Sequence, residues 1–149
     1  MGLDMYLTKE KRKTDRRCKT GYRVTDKQDV CYWRKANAIR GWLVSHKVIE
    51  EDDNCVPREI DRDTIHELLG DCEKVIAKFN TSAKNRCEET AHDFFESAKE
   101  ILPPSEGFFF GNYEIDEYYI EEILETIDKL NTVLETTSEE DTLVYSDWW

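Results

Sequence analysis

GLDMYL, residues 2–7, places the apolar residues Leu3, Met5 and Leu7 at every second position. Successive side chains of a strand point to opposite faces of a sheet, so this period predicts a half-buried β-strand. The other end of the chain, DTLVYSDWW at residues 141–149, alternates in the same way and is rich in β-prone residues. We therefore expect the two chain ends to be direct neighbours in one small antiparallel sheet.

Helical periods fill most of the chain between these two strands. Apolar residues recur with the spacing of an amphipathic helix in residues 32–43, 61–80, 83–102 and 116–134. Asp61 and Asp116 stand where the second and fourth helices need an N-cap, and Asn80 is a reasonable stop for the second. The sequence therefore predicts an α+β protein in which residues 1–149 form a single domain, with about four helices packed against the sheet.

The remaining part of the N-terminal third has weaker signals. Residues 9–19 form a basic, turn-forming tract, for which we expect a mobile loop. Residues 21–25 predict a second, short strand, and residues 26–29 predict a turn.

Composition and charge limit the classes of function. The 149 residues include 36% charged residues and carry a formal net charge of -12, which argues against direct binding to nucleic acid phosphates or anionic lipid. The sequence has neither an apolar run of membrane-spanning length nor the apolar stretch of a signal peptide at its start. We expect a protein of the cytosol that does not bind membranes.

The charge is unevenly distributed along the chain. Residues 1–40 contain 12 lysines and arginines against 5 acidic residues, whereas residues 114–149 contain 1 against 12. The two ends can attract each other within the fold. The alternative is that the acidic end forms a surface for a basic partner.

The residue chemistry indicates no catalytic or metal site. The five cysteines lack the C-x-x-C spacing of zinc or thioredoxin motifs, so we expect free thiols, with Cys72 and Cys87 buried on helix stripes. The histidines are 20 and 26 residues apart, and there is no G-x-S-x-G or phosphate-binding glycine motif. We predict a protein that is not an enzyme and has no cofactor.

An aromatic segment separates the third and fourth predicted helices, and we expect the chain to be arranged around it. Residues 102–119 read LPPSEGFFFGNYEIDEYY. The glycines that flank the three phenylalanines allow a positive φ or the close approach of another surface. The segment either fills the core or lines a binding site.

Three parts of the sequence together resemble a family of small proteins encoded by phages and prophages. They are the opening MGLDMYL, the YWRKAN motif that starts at Tyr32, and the GFFFG motif followed by DEYY. The resemblance extends over the N-terminal strand, residues 32–42 and residues 102–119, which together cover about a quarter of the chain. The resemblance implies no particular chemistry, but it implies a setting, namely a phage accessory protein that acts on a host system.

The first functional hypothesis is inhibition of a host defence or nuclease component. Carboxylates along a helix can imitate a row of phosphates and occupy a basic groove of a host protein or protein–nucleic acid complex. The predicted acidic face consists of Glu117, Glu121, Glu122, Glu125 and Asp128. The sequence indicates no oligomeric state.

The alternative hypothesis is the binding or sequestration of a nucleotide-like small molecule by aromatic and basic residues. The candidate pocket consists of Trp33, Arg34, Asn37, Arg40, Phe108, Phe109, Phe110, Tyr113 and Tyr118. The aromatic residues have core packing as an alternative role. The two arginines could instead pair with the acidic C-terminal region.

Overall fold

The computed structural model describes residues 2–107 and 110–149. Its elements follow the order β1 (Asp4–Thr14), β2 (Tyr22–Arg34), α1 (Asn37–Ser45), β3 (Arg58–Ile60), α2 (Arg62–Asn85), α3 (Glu88–Ile101), α4 (Glu117–Thr136) and β4 (Thr142–Trp148). The predicted α+β class, with a small antiparallel sheet and four helices, is confirmed.

The sheet has the order β2-β1-β4-β3, and all its neighbouring strands are antiparallel. β1 pairs with β4 from Asp4 opposite Trp148 to Glu10 opposite Thr142. The predicted pairing of the two chain ends is therefore confirmed. β3 was not predicted from the sequence, and its three residues add one short edge strand.

β1 and β2 form a hairpin that is much longer than the sequence suggested. The prediction of a mobile loop was wrong for residues 9–14, which lie in β1 and pair with β2. The prediction of a turn was also wrong, because residues 26–29 lie in β2 and pair with β1. Lysine, arginine and threonine on both sides of a strand leave no hydrophobic period to detect. Backbone pairing, interrupted by irregularities at Leu7/Thr8 and Lys11/Arg12, holds this part of the hairpin together.

The first helix begins later than its apolar stripe predicted. Residues 31–34 belong to β2, where Cys31 and Trp33 are buried while Tyr32 and Arg34 are exposed. This alternation is the period of a strand, and α1 starts only at Asn37. Tyr32 fits a helical spacing by coincidence, because one residue cannot distinguish the two periods.

The caps of α2 and α4 are the predicted aspartates. The Asp61 carboxylate accepts a hydrogen bond from the Thr64 backbone N–H at 2.7 Å, and Asp116 accepts one from Tyr119 at 3.1 Å. The predicted stop of the second helix at residue 80 was wrong, since α2 continues to Asn85. The chain then turns at Arg86, whose φ of 48° lies in the left-handed region, and α3 starts at Glu88 instead of residue 83.

The core lies between the sheet and the helices. Leu3, Met5 and Leu7 are almost fully buried and join one apolar cluster with side chains of all four helices. α2 packs against both α3 and α4, and α4 also contacts β2.

Among the helices that the structure describes, none combines the length and the apolar character needed to cross a membrane.

Candidate functional site

Arg40 of the predicted pocket is a buried structural residue. Its Nε donates to the Asp147 carboxylate at 2.8 Å, and its Nη2 donates to the carbonyls of Glu51 and Asp53 at 3.0 and 3.1 Å. The Tyr145 hydroxyl donates to the same Asp147 oxygen at 2.9 Å, and burial raises the pKa of Tyr145. Arg40 therefore pairs with the acidic C-terminal region, which was the alternative role for this residue.

The Asn37 side chain links the aromatic segment to the start of α1 by hydrogen bonds. Its side-chain amide donates to the carbonyls of Phe110 and Asn112 at 3.1 and 2.8 Å, and its Oδ1 accepts from the Ser105 N–H at 3.2 Å. Asn37 is buried, so its side chain has little surface available for a ligand. Its hydrogen bonds explain how the segment after α3 is held against the start of α1.

The aromatic residues of the predicted pocket occupy three different environments. Trp33 is in the core, where its indole N–H donates to the Thr126 hydroxyl at 3.0 Å. Phe110 is buried and packs edge-on against Trp149 at 5.5 Å between ring centroids. Tyr113 and Tyr118 are 56% and 75% exposed, so they are not part of this packing. Phe108 and Phe109 lie outside the described residues.

Both glycines of the aromatic segment have the expected backbone roles. Gly111 has a φ of 88°, a backbone conformation that residues other than glycine rarely adopt. A Cβ at Gly107 would clash with the ring of Phe110. The aromatic ring therefore lies directly over the glycine backbone.

A cavity of about 260 Å³ brings together part of the predicted pocket. Its lining includes Arg34, Asn37 and Tyr118, together with Lys35 and Glu122. Burial raises the pKa of Glu122 to about 8, against the smaller opposing effect of Lys129. Because it is half-buried and lines this cavity, Glu122 lies apart from the exposed acidic residues of α4.

The other four predicted acidic residues share one exposed side of α4. Glu117, Glu121, Glu125 and Asp128 are all exposed, and residues three or four apart on a helix lie on the same face. Only Glu125 forms an ion pair among the described residues, with Lys129 at 3.8 Å. We call these four residues the acidic row.

An apolar groove lies beside the start of the acidic row, and the sequence analysis did not identify it. This groove of about 340 Å³ is lined by Phe79, Phe94, Phe95, Ile115, Asp116, Glu117, Ile120 and Glu121. Phe95 is 42% exposed, and it follows the buried Phe94 directly. Adjacent phenylalanines on a helix cannot both face the same core, and this was the available sequence signal.

The thiols divide into buried and exposed groups. All five cysteines are free, and Cys31 and Cys72 are buried. The prediction that Cys87 is buried was wrong, because this residue precedes α3 and is exposed. A hydrogen bond with the Thr90 hydroxyl lowers the pKa of the Cys87 thiol.

Within residues 2–107 and 110–149 no group of three or more metal-ligating side chains comes together.

No protein-family model matches this sequence, and comparison with curated proteins and with solved structures gives no match either.

Proposed function

We propose that this protein is a non-enzymatic binding protein that inhibits a basic partner through the acidic row. The observation that carries this proposal is the exposed line of four carboxylates on one side of α4. At a rise of about 1.5 Å per residue, positions four apart recur about every 6 Å along the helix. A groove that binds phosphates through lysine and arginine would meet a comparable series of negative charges.

The apolar groove adds a second type of contact to this surface. Glu117 and Glu121 belong to both the acidic row and the lining of the groove. A partner that places an apolar side chain next to lysine or arginine would fill the groove while its cations contact the carboxylates. Apolar anchors supply much of the binding energy of protein interfaces, whereas charges mainly provide specificity and fast association.

The resemblance to phage proteins supports a specific class of partner. Within that setting, the partner is a host defence or nuclease component whose basic groove otherwise holds nucleic acid. The acidic row would block this groove, and inhibition would follow from competition with the nucleic acid.

The test compares the wild type with a variant in which Glu117, Glu121, Glu125 and Asp128 become Gln, Gln, Gln and Asn. Both proteins serve as bait in a host lysate, and quantitative mass spectrometry identifies proteins that only the wild type captures. Each such protein is then purified, and its binding and its nucleic-acid-dependent activity are measured directly at several salt concentrations. We expect the variant to lose binding and inhibition, and the wild-type affinity to fall with added salt.

A matched control removes four carboxylates elsewhere on the surface. Glu73, Glu100, Glu139 and Glu140 are all exposed, so their replacement by Gln changes the net charge by the same amount. This control should bind and inhibit like the wild type. Equal inhibition by the acidic-row variant and the control at low salt would overturn the proposal.

A second candidate function is the binding of a small anionic molecule in the cavity beside Arg34. The observation that favours it is the convergence of Arg34, Lys35 and Asn37 on this 260 Å³ cavity, whose lining also includes the carboxyl groups of Glu114, Asp116 and Glu122. Arg34 is exposed, so Arg34→Ala tests the site without removing a buried ion pair. If this function is correct, mass spectrometry finds a small anion retained by the wild type and lost from Arg34→Ala, whereas the acidic-row variant keeps it.

A further inference from the structure

The hairpin of β1 and β2 continues past the rest of the sheet as a two-stranded ribbon. β4 pairs with β1 only as far as Glu10, whereas β1 and β2 remain paired out to Thr14 opposite Tyr22. We call residues 11–27, which comprise the ends of both strands and the turn between them, the basic ribbon. They contain eight lysines and arginines against two aspartates, a formal charge of +6 in a protein whose net charge is -12.

Hydrogen bonds order the turn of the basic ribbon. The Asp15 N–H donates to the Gly21 carbonyl at 2.9 Å, and the Gly21 N–H donates to the Cys18 carbonyl at 3.0 Å. The Asp15 carboxylate accepts from the backbone and guanidinium of Arg17, and these bonds lower the pKa of Asp15. The basic residues are therefore presented by a defined hairpin.

Most of the positive charge on the basic ribbon is uncompensated within the fold. Arg12 pairs with Glu10 and Glu59, and Arg17 pairs with Asp15. The other six cations form no ion pair with any residue that the structure describes, and all are exposed: Lys11, Lys13, Arg16, Lys19, Arg23 and Lys27. A structural role in the folded monomer explains two of the eight cations and leaves six available to a partner.

Lys13 and Arg23 lie directly opposite each other in the strand register, so these two cations share one face of the basic ribbon. Lys11 is two positions before Lys13 on β1, and an irregularity in the pairing lies between Lys11 and Arg12. Residues two apart on a strand are about 6.8 Å apart, and the phosphates of one DNA strand rise by about 3.4 Å each along the helix axis, so the two series of charges have spacings of the same order. The hydroxyl groups of Thr14 and Tyr22 are of the kind that hydrogen-bond phosphates, whereas those of Thr20 and Thr25 donate to the carbonyls of Tyr22 and Lys11 within the ribbon.

We propose that the basic ribbon binds the phosphate backbone of double-stranded DNA. The major groove of B-DNA is about 12 Å wide and admits a two-stranded β-ribbon, whereas the major groove of duplex RNA is too narrow for side chains to read. The net charge of the whole chain argued against nucleic acid. At physiological salt, however, charges more than about 8 Å apart are strongly screened, so a phosphate beside the ribbon interacts mainly with the local cations.

The test measures binding of a fluorescently labelled DNA duplex of about two helical turns by anisotropy, between about 50 and 200 mM salt. Contacts with about six phosphates predict that the wild-type affinity falls roughly 10³-fold over this range. The variant Lys11→Gln/Lys13→Gln/Arg23→Gln should bind at least tenfold more weakly at the lowest salt. Its log–log salt slope should be smaller by about 2.7, since each lost phosphate contact removes about 0.9.

The control replaces three exposed lysines on the helices, Lys78, Lys84 and Lys99, with glutamine, so that the net charge changes equally. This control should keep the wild-type salt slope, and thermal melts should show all three proteins equally folded. The inference fails if the wild type shows no DNA binding at the lowest salt, or if the ribbon and control variants bind alike.

The acidic row of a second copy is the alternative occupant of the basic ribbon. Sedimentation of the protein without DNA distinguishes the two cases. A concentration-dependent dimer that the ribbon variant loses, with no change in its DNA affinity, would overturn the inference. The acidic-row variant should bind DNA at least as well as the wild type, so failure of the proposed function leaves this test intact.

Discussion

Charged residues have opposite roles at the buried Arg40–Asp147 pair and at the acidic row of α4. The Arg40 and Asp147 side chains are only 3% and 1% exposed, and the guanidinium donates to Asp147 and to the carbonyls of Glu51 and Asp53. The carboxylates of the acidic row are exposed, and only Glu125 has an ion-pair partner among the described residues. Burial thus determines whether a charge contributes to the fold or is available to a partner.

The largest effect that this comparison predicts is the loss of stability on Arg40→Ala. The substitution leaves the Asp147 carboxylate buried without its cation, which costs about 3–5 kcal/mol in comparable buried pairs. Urea unfolding should show this decrease in the free energy of unfolding. Arg34→Ala, at an exposed position, should change it by less than about 0.5 kcal/mol, and similar values for the two variants would contradict the structural role of Arg40.

Glu122 provides an intermediate case, because it is half-buried and its pKa is raised to about 8 from the ordinary 4.5. The folded state holds the proton more tightly than the unfolded state, so this residue lowers stability as pH rises from about 4.5 to 8. One pKa unit corresponds to about 1.4 kcal/mol, and partial hydration reduces the total effect to about 1–2 kcal/mol in our expectation.

The measurement is the free energy of unfolding of the wild type and Glu122→Gln between pH 4 and pH 9. The two proteins should become more different as pH rises, with the variant the more stable at high pH. Glu121→Gln, at the neighbouring exposed position, is the control and should parallel the wild type. A constant difference between wild type and Glu122→Gln across this range would show that the pKa of Glu122 is not raised.

Neutralising the acidic row should have a small effect on stability. Exposed ion pairs contribute about 0–1 kcal/mol, and within the described part of the chain the row has one such pair, between Glu125 and Lys129. Glu117 also lies in the first turn of α4, where its charge favourably opposes the helix dipole. Urea unfolding of the four-site variant should therefore show a loss of at most about 1–2 kcal/mol. A larger loss would mean that these residues are part of the fold.

The comparison between buried and exposed groups also predicts the reactivity of the thiols. The measured quantity is the reaction rate, and we expect no change in stability. Native protein treated with a disulfide reagent should react quickly at Cys87 and slowly at Cys31 and Cys72, whose pKa values burial raises to about 12. Thr90→Val should slow the reaction of Cys87, since it removes the hydrogen bond that lowers the thiol pKa. Denatured protein should yield five free thiols, and a lower number would indicate disulfides.

The basic ribbon and the start of α1 show where local patterns mislead. Lys11 and Lys13 lie in a paired strand because the backbone of β2 is their neighbour, and a polar tract carries no period that reveals this pairing. Tyr32 and Trp33 belong to β2 although a helical spacing runs through them. The caps at Asp61 and Asp116 were predictable because a cap depends on residues adjacent in sequence.

The candidate site likewise has features that local sequence patterns predict and features that they do not. The exposed side of α4 follows from its helical period, so all four residues of the acidic row were predictable. The separation of Glu122 from the row was not, because it depends on Arg34 and Lys35 reaching the same cavity from a distant strand end. The groove between α3 and α4 likewise requires the relative position of two helices.

The sequence by itself determined the α+β class, the pairing of the chain ends and the caps of two helices. Alternation, helical spacing and capping act between residues close along the chain, so the sequence displays them directly. Tertiary structure alone decided that Arg40 forms a buried ion pair with Asp147, that burial raises the pKa of Glu122, and that the basic ribbon extends beyond its neighbours. Each of these depends on desolvation or strand register, which residues distant in sequence bring about only when the chain is folded.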